Sequence, residues 1–270
     1  MPYANNNGVR IYYEVEGEGP PLVMGHGVTR SLERWRQIGF ADALKNDYRL
    51  IMFDARGHGK SDKPHDAAAY GANMVDDVQA VLDAAQIDTV NYMGYSMGAG
   101  VGSMCAIRHP ERFNRFVLGG WSPYRAEASF AASRPPVAVS QPPVGPAQQI
   151  RMLRSDPDAY LRSREQQLGR PLTPEEKETE LANDPEALDA LMATFRDFAT
   201  LSNQDLSRIS TPCLLYAGES DTMYAGAKEA SSHIPNATFF SLPGLDHVQA
   251  GASSLVLPPI REFLAGVNRK

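Results

Sequence analysis

Short apolar segments alternate with stretches of helical periodicity from about Val9 to Leu118, and the pattern returns near the carboxyl end. Each segment has the length of a strand, and its largely apolar character is typical of a strand covered on both faces. The segments are Pro21–Met24, Arg49–Phe53, Thr89–Met93, Phe116–Leu118, Cys213–Tyr216 and Ala237–Phe240. Strands separated by helices form a mostly parallel sheet, because parallel neighbours need a crossover connection. The pattern predicts an α/β fold with helices flanking the sheet, preceded by a hairpin strand over Val9 to Val15.

The residues from 122 to 209 break this rhythm, because they contain no strand-like apolar run. Their first part is rich in proline, which predicts turns or extended chain. Farther on, Thr173 and Asp184 each precede a proline and a glutamate, a signature of helix starts. We therefore predict an α/β core over residues 1–121 and 210–270, with a helical cap inserted over residues 122–209.

Composition and charge exclude several function classes. Hydrophobic residues at 43% and charged residues at 21% are ordinary globular values. The net charge is -6 and no dense basic stretch occurs, so we expect no nucleic-acid partner. The first ten residues have no apolar core, and no later apolar stretch is long enough to span a bilayer. We expect a cytoplasmic protein without a membrane partner. Cys105 and Cys213 lie in separate apolar runs, which predicts buried, reduced thiols. Nothing in the sequence predicts the oligomeric state.

The pentapeptide from Gly94 to Gly98 has Ser96 at its centre, follows a predicted strand and opens a helical run of small residues. A serine on so sharp a strand-to-helix turn needs glycines on both sides, because side chains there would collide with neighbouring backbone. The free amide groups of the helix start point at any negative oxygen that develops beside the serine. The pattern therefore predicts a nucleophilic serine, with a glycine-rich turn that only opens a helix as the alternative.

A nucleophilic serine needs a base, and His247 has the most suitable position among the six histidines. It follows the last predicted strand, at the carboxyl edge of the sheet where Ser96 also lies. An acid that orients it should lie on another loop at that edge. The loop after the Cys213 strand offers Glu219 and Asp221. We choose Asp221, because Glu219 lies closer to the strand end and would cap the turn.

With these residues in place, the chain resembles the α/β hydrolase superfamily over nearly everything outside the predicted cap. The order Ser96, Asp221, His247 is the order of that family's triad. Two further stretches are similar to family motifs: His26-Gly27 after a strand, and the loop from Asp54 to Asp62 after the next strand. Two departures are Asp246, where a glycine often precedes the histidine, and Ala99, where a second glycine often follows the serine turn.

The resemblance implies an oxyanion hole made by the backbone amides of Val28 and Met97, and a structural role for the Asp54 to Asp62 loop. It implies a serine hydrolase of small carboxylic esters or lactones, with esterases and enol-lactonases the most similar in appearance. The reaction would need neither a metal nor an organic cofactor. We expect Tyr95, the neighbour of the nucleophile, to bind substrate.

Three alternatives stay open at this point. The same residues suit hydrolysis of a carbon-carbon bond in a ring-cleavage product, or cofactor-free perhydrolysis. A ligand-binding scaffold without turnover is the third, and an apparently complete triad argues against it. The cap arginines either attract an acidic substrate or form a solvated face with neighbouring carboxylates, and we favour the solvated face. These arginines are Arg125, Arg134, Arg151, Arg154, Arg162 and Arg164.

Overall fold

The computed structural model describes residues 2–124 and 145–266. Within these ranges the strands are β1 (Tyr3–Asn6), β2 (Val9–Glu16), β3 (Pro21–Gly25), β4 (Arg49–Phe53), β5 (Val90–Tyr95), β6 (Phe113–Gly119), β7 (Cys213–Gly218) and β8 (Ala237–Leu242). They form one sheet in the order β1-β2-β4-β3-β5-β6-β7-β8. The strands β4, β3, β5, β6, β7 and β8 run parallel, and the pairs β1-β2 and β2-β4 are antiparallel. The predicted α/β class with a mostly parallel sheet is confirmed.

Strand β1 has no counterpart in the sequence prediction. It pairs with β2 through a tight turn at Asn7 and Gly8, whose φ angles are 52° and 90°. Positive φ at both central residues is the mark of the hairpin turns that asparagine followed by glycine favours. The Asn7-Gly8 pair was therefore the signal that would have revealed the strand.

The helices over the same ranges are α1 (Glu33–Gln37), α2 (Phe40–Leu44), α3 (Asn73–Ala84), α4 (Met97–Arg108), α5 (Pro146–Ser155), α6 (Pro157–Leu168), α7 (Pro174–Leu181), α8 (Pro185–Phe198), α9 (Asn203–Ser207), α10 (Tyr224–His233), α11 (His247–Ala250) and α12 (Leu257–Leu264). Two apolar clusters cover the two faces of the sheet. One receives side chains from α3 and α4, and the other receives them from α1, α2 and α12. The sheet is thus enclosed between helices, as the largely apolar strands require.

The described residues between 122 and 209 carry helices α5 to α9 and no strand. Helices α7 and α8 begin at the two predicted caps: the side chain of Thr173 accepts from the amide of Glu176, and that of Asp184 accepts from the amides of its first turn. Helix α8 lies against α4, where a Cβ atom on Gly100 would come within 2.9 Å of the Phe195 ring. The division into a core and a cap stays a prediction.

No helix among residues 2–124 and 145–266 combines the length and the apolar character that crossing a membrane demands. Cys105 and Cys213 are both buried and free, as the sequence predicts.

Candidate active site

Ser96 lies at the junction of β5 and α4 in a conformation that side chains rarely adopt. Its φ is 54° and its ψ is -113°, and such a backbone persists only where the surrounding structure holds it in place. The amide of Ser96 donates to the carbonyl of Gly119 at 2.8 Å, and its own carbonyl accepts from Gly100 at 3.0 Å. These bonds fix the turn between the sheet and the helix, so the side chain is presented at the carboxyl edge of the strands.

The glycines on either side of Ser96 are required by close backbone contacts. A Cβ atom on Gly94 would lie 2.5 Å from the carbonyl oxygen of Gly98, and one on Gly98 would lie 2.0 Å from that of Gly25. Real Cβ atoms do not approach backbone so closely. The collisions that the sequence predicts for this turn are therefore present, and they come from β3 as well as from the turn itself.

His247 connects Ser96 to a buried carboxylate. Its Nε2 lies 3.1 Å from the Ser96 Oγ, and its Nδ1 lies 2.7 Å from the Asp221 Oδ2. With the carboxylate at Nδ1, the neutral ring carries its proton on Nδ1, which leaves Nε2 as the acceptor for the serine proton. The imidazole is 38% exposed while the Asp221 side chain is fully covered. The arrangement can deprotonate Ser96 and stabilise the imidazolium that results.

The loops that carry Asp221 and His247 are packed against each other. The Ser220 amide donates to the Leu245 carbonyl at 3.0 Å. The remaining Asp221 oxygen accepts from the Met223 amide at 2.9 Å, which fixes the carboxylate. Glu219 is exposed and accepts instead from the Ser241 hydroxyl at 2.9 Å. The structure therefore brings Asp221 to the histidine and directs Glu219 away from it.

The pKa of His247 is raised above its ordinary value. Burial acts to lower it, but the hydrogen bond and the charge of Asp221, together with the charge of Asp246, outweigh that effect. Asp246 is the residue that stands where the family often has glycine. Its carboxylate accepts from the amides of Val248 and Gln249 at 2.9 and 2.8 Å and so starts helix α11. The departure from the family pattern supplies a helix cap and a second negative charge near the imidazole.

The amides expected to bind an oxyanion lie on the two segments that meet beside Ser96. Met97 opens α4, where the helix dipole favours negative charge. Val28 follows Gly27, and a Cβ atom on Gly27 would lie 3.5 Å from the Ser96 Cβ. Within the described part of the chain, neither the Val28 nor the Met97 amide donates a hydrogen bond. Both amides are therefore available to an added oxygen.

A set of buried side chains holds the loop of Val28. The sequence predicts a structural role for the Asp54 to Asp62 loop, but not that its side chains hold the Val28 loop. The amide of Thr29 donates to His58 Nε2 at 3.2 Å, and the amide of Leu32 donates to Asp54 Oδ1 at 2.7 Å. On the strand side, the Ala55 amide donates to His26 Nε2 at 3.0 Å. Both histidines are buried, and their Nδ1 atoms lie near backbone carbonyls. The similarity of these two segments to family motifs was the available signal, but only the fold shows that one segment holds the other.

Tyr95 packs against His247. Its hydroxyl donates to the His247 carbonyl at 2.5 Å, and the two ring centroids are 5.2 Å apart. Room for the ring depends on Gly120 and Gly251, where a Cβ atom would lie 2.6 Å from it. The substrate contact expected for Tyr95 stays a prediction, and what the structure places there is a support for the histidine.

Arg164, expected on a solvated face, is buried instead. Its Nε lies 3.2 Å from the Glu180 Oε1, and its side chain is only 2% exposed. Arg154 and Arg162 do lie on exposed surface, near Asp189 and Asp156 respectively. Arg125 and Arg134 lie outside the described residues.

No three His, Cys, Asp or Glu side chains in the described ranges converge closely enough to hold a metal ion.

Comparison with known proteins identifies relatives of this chain. A putative carbamate hydrolase from Azorhizobium caulinodans is 31% identical over 45% of this chain and 45% of its own length. A 2-hydroxymuconate semialdehyde hydrolase from Pseudomonas sp. is 37% identical over 42% of this chain and 40% of its own length. The matched region thus spans less than half of these curated relatives.

The solved structures extend the likeness to the whole fold. The enol-lactonase from Burkholderia xenovorans superposes with a TM-score of 0.75 at 21% identity, covering 98% of this chain and all of the other. The family model described as the alpha/beta hydrolase fold matches residues 20–249. That range contains the serine turn, the acid loop and the histidine. The chain belongs to the α/β hydrolase family.

Proposed function

We propose that the protein is a serine hydrolase that cleaves a small carboxylic ester or lactone through an acyl-enzyme on Ser96. The observation that carries this proposal is the continuous chain of hydrogen-bonding groups from Asp221 through His247 to Ser96. A serine held in a strained turn, a base within hydrogen-bond reach and a buried acid behind the base are the parts that acyl transfer needs.

In the first half of the reaction, the Ser96 Oγ attacks the substrate carbonyl carbon while His247 Nε2 takes the serine proton. The negative charge moves to the carbonyl oxygen, where the amides of Val28 and Met97 stabilise it. The bond to the leaving alcohol then breaks, and His247 returns the proton to the departing oxygen. In a lactone, that alcohol stays attached to the acyl group.

In the second half, a water molecule gives its proton to His247 and attacks the acyl carbon. The bond to Ser96 breaks, the serine oxygen recovers the proton, and the carboxylic acid product leaves. Asp221 keeps the ring in the useful tautomer and stabilises its charged form in both halves. We propose that residues 122–209 cover this site as a cap, because helix α11, which begins at His247, contacts helix α6.

Hydrolysis of a carbon-carbon bond is the second candidate, and the similarity to the 2-hydroxymuconate semialdehyde hydrolase favours it. The two reactions share the serine and the base but differ in the leaving group, which is a carbon atom in the second case. A substrate panel therefore separates them: short acyl esters, lactones and vinylogous diketones assayed with the same enzyme preparation.

The mechanism itself is tested by labelling and by double substitution. A fluorophosphonate should label Ser96 rapidly in the wild type and should not label the Ser96→Ala variant. The Ser96→Ala and His247→Ala variants should each lose most turnover, and the double variant should be little worse, because the residues act as one unit. A wild-type protein that resists the probe, or additive losses in the double variant, would contradict the proposal.

A further inference from the structure

A cleft lies between the core loop that follows Val28 and two helices of the inserted segment. Its core side carries Arg30 and Arg34, and its other side carries Arg164, Glu176 and Glu180. Two guanidinium groups of the core therefore face one guanidinium group and two carboxylates of helices α6 and α7.

The carboxylates of this cleft are already engaged. Glu180 is covered and lies against both Arg164 and Arg30. Glu176 is held by Arg170, which donates to its two oxygens at 2.8 and 2.7 Å. The two carboxylates thus contact Arg30, Arg164 and Arg170, and a fourth arginine has no carboxylate partner.

Arg34 is that fourth arginine. Among residues 2–124 and 145–266, no carboxylate lies within 4.0 Å of its guanidinium and no acceptor receives a hydrogen bond from it. Its side chain is partly buried, and burial and the charge of Arg30 lower its pKa to about 10 against the opposing effect of Glu180 and Glu176. The group is therefore still charged at neutral pH, and a partly desolvated charge without a partner favours an incoming anion.

The cleft adjoins the reacting groups. Only one residue separates Arg30 from Val28, and consecutive Cα atoms are about 3.8 Å apart, so their Cα atoms lie within about 7.6 Å. The positive charge of Arg30 counteracts the rise in the pKa of His247, and that of Arg34 counteracts the rise in the pKa of Tyr95. The cleft therefore lies beside the loop that carries the expected oxyanion amide of Val28.

We propose that Arg34, with Arg30 beside it, binds a carboxylate of the substrate, so that the preferred ester or lactone carries a free carboxylate group. A carboxylate matches the planar guanidinium with two parallel hydrogen bonds. The inference rests on the proposed hydrolase function, since it names the substrate class for Ser96.

The test compares charged and neutral substrates of the same shape. On the acyl side, mono-4-nitrophenyl glutarate is paired with 4-nitrophenyl methyl glutarate, and on the alcohol side, 4-acetoxybenzoate is paired with its methyl ester. In the wild type, kcat/KM should favour the anion in at least one pair. The Arg34→Gln variant should lower kcat/KM for the anion about 10- to 100-fold more than for its neutral partner. Arg34→Lys keeps the charge but loses the forked guanidinium. Its preference for the anion should lie between those of the wild type and Arg34→Gln.

Arg162→Gln is the matched control, because Arg162 lies on the neighbouring α6 surface with its side chain 67% exposed. This variant should keep the wild-type preference. A preference for the anion that survives Arg34→Gln in full, or the absence of any preference in both pairs, would overturn the proposal.

A binding measurement separates this inference from the mechanism. In the Ser96→Ala background, glutarate should raise Tm, and adding Arg34→Gln should abolish the rise. Fluorophosphonate labelling of Ser96 should be equal in the wild type and in Arg34→Gln. Labelling without a glutarate effect or an anion preference would reject the carboxylate site and leave the hydrolase intact. A glutarate effect in a protein that resists labelling would support the site and reject the mechanism.

Discussion

Tyr95, the residue next to Ser96 in the sequence, supports the candidate base His247. Its hydroxyl is bonded to the His247 carbonyl, and its ring lies against the imidazole. The Tyr95→Phe variant keeps the ring and loses the hydrogen bond, whose net worth is about 0.5 to 1.5 kcal/mol. We expect kcat to fall about three- to tenfold with little change in KM, as measured by steady-state kinetics on a short acyl ester.

Tyr216→Phe provides the control for that prediction. The Tyr216 ring lies 5.9 Å from the Tyr95 ring, and its buried hydroxyl has no partner among the described residues. Removing this hydroxyl should leave kcat unchanged. If Tyr95→Phe altered KM differently from one substrate to another while kcat stayed constant, Tyr95 would be the substrate contact that the sequence predicts.

The raised pKa of His247 fixes the sign of the pH dependence. His247 must be neutral to accept the serine proton, so kcat/KM for a non-ionising ester should rise with pH along one limb. The midpoint should lie above the ordinary value near 6.5, because Asp221 and Asp246 outweigh burial. A flat profile between about pH 5 and 8, with chemistry rate-limiting, would contradict the assignment of the base.

Asp246→Asn isolates one cause of that shift. Asparagine caps a helix about as well as aspartate does, so helix α11 should remain. The variant loses the negative charge and should move the midpoint to lower pH by less than about one unit. An unchanged midpoint would mean that the Asp246 charge does not reach the imidazole.

At the scale of single residues, the sequence supplied the serine, the acid and the histidine that the structure brings together. Position in chain order and at the carboxyl edge of the sheet was enough for these three, because both follow from the spacing of strands. The orientation of Tyr95 could not be predicted from the sequence, because it depends on the space that Gly120 and Gly251 leave for its ring.

Glu180 on α7 connects residues 122–209 to the loop that follows β3. Its carboxylate forms ion pairs with Arg30 of that loop and Arg164 of α6, and it accepts a hydrogen bond from the Tyr160 hydroxyl on α6. Glu180→Gln would leave two largely buried guanidinium groups without a counter-charge, which typically costs about 3 to 5 kcal/mol. We expect Tm to fall by roughly 10 °C, measured by differential scanning calorimetry.

Glu176→Gln on the same helix is the comparison. Its partner Arg170 is 49% exposed, and glutamine can still take part in the capping box, so the loss should be below about 1 kcal/mol. Equal losses in the two variants would show that Glu180 has no special part in joining the segments.

Elements differed in how well the sequence predicted them. Helices α7 and α8 were predicted from their first residues, because caps act locally. Strand β1 was missed, because its apolar signal is weak and its pairing depends on the Asn7-Gly8 turn. The burial of Arg164 was also missed, since its partner Glu180 comes from a different helix.

For the molecule as a whole, the buried pair His26 and His58 should cause a loss of stability in mild acid. Burial lowers their pKa values to about 4 and about 3, with the neighbouring His26 contributing at His58. In the unfolded chain both protonate near 6.5. Their contribution is therefore complete above pH 6.5 and is lost as the pH falls towards the folded values, by about 2 kcal/mol each between pH 7 and 5.

Urea unfolding at pH 7 and pH 5 measures this loss. His58→Asn should show a smaller drop than the wild type, and His109→Asn, at a partly exposed helix end, should show the same drop. His247 affects stability in a different pH range. Its raised pKa adds stability that is complete below about pH 6.5 and is lost as the pH rises through the pKa of His247 in the folded protein. A wild-type free energy of unfolding that is equal at the two pH values would refute the prediction for the pair.

The loop that starts at His26 places the oxyanion amide of Val28 and the cleft arginine Arg34 on one short stretch of backbone. Hydrogen bonds to side chains fix its first half, whereas Arg34 has no hydrogen-bond or salt-bridge partner among the described residues. We therefore expect homologues that differ at position 34 to differ in substrate preference while they keep the same catalytic residues.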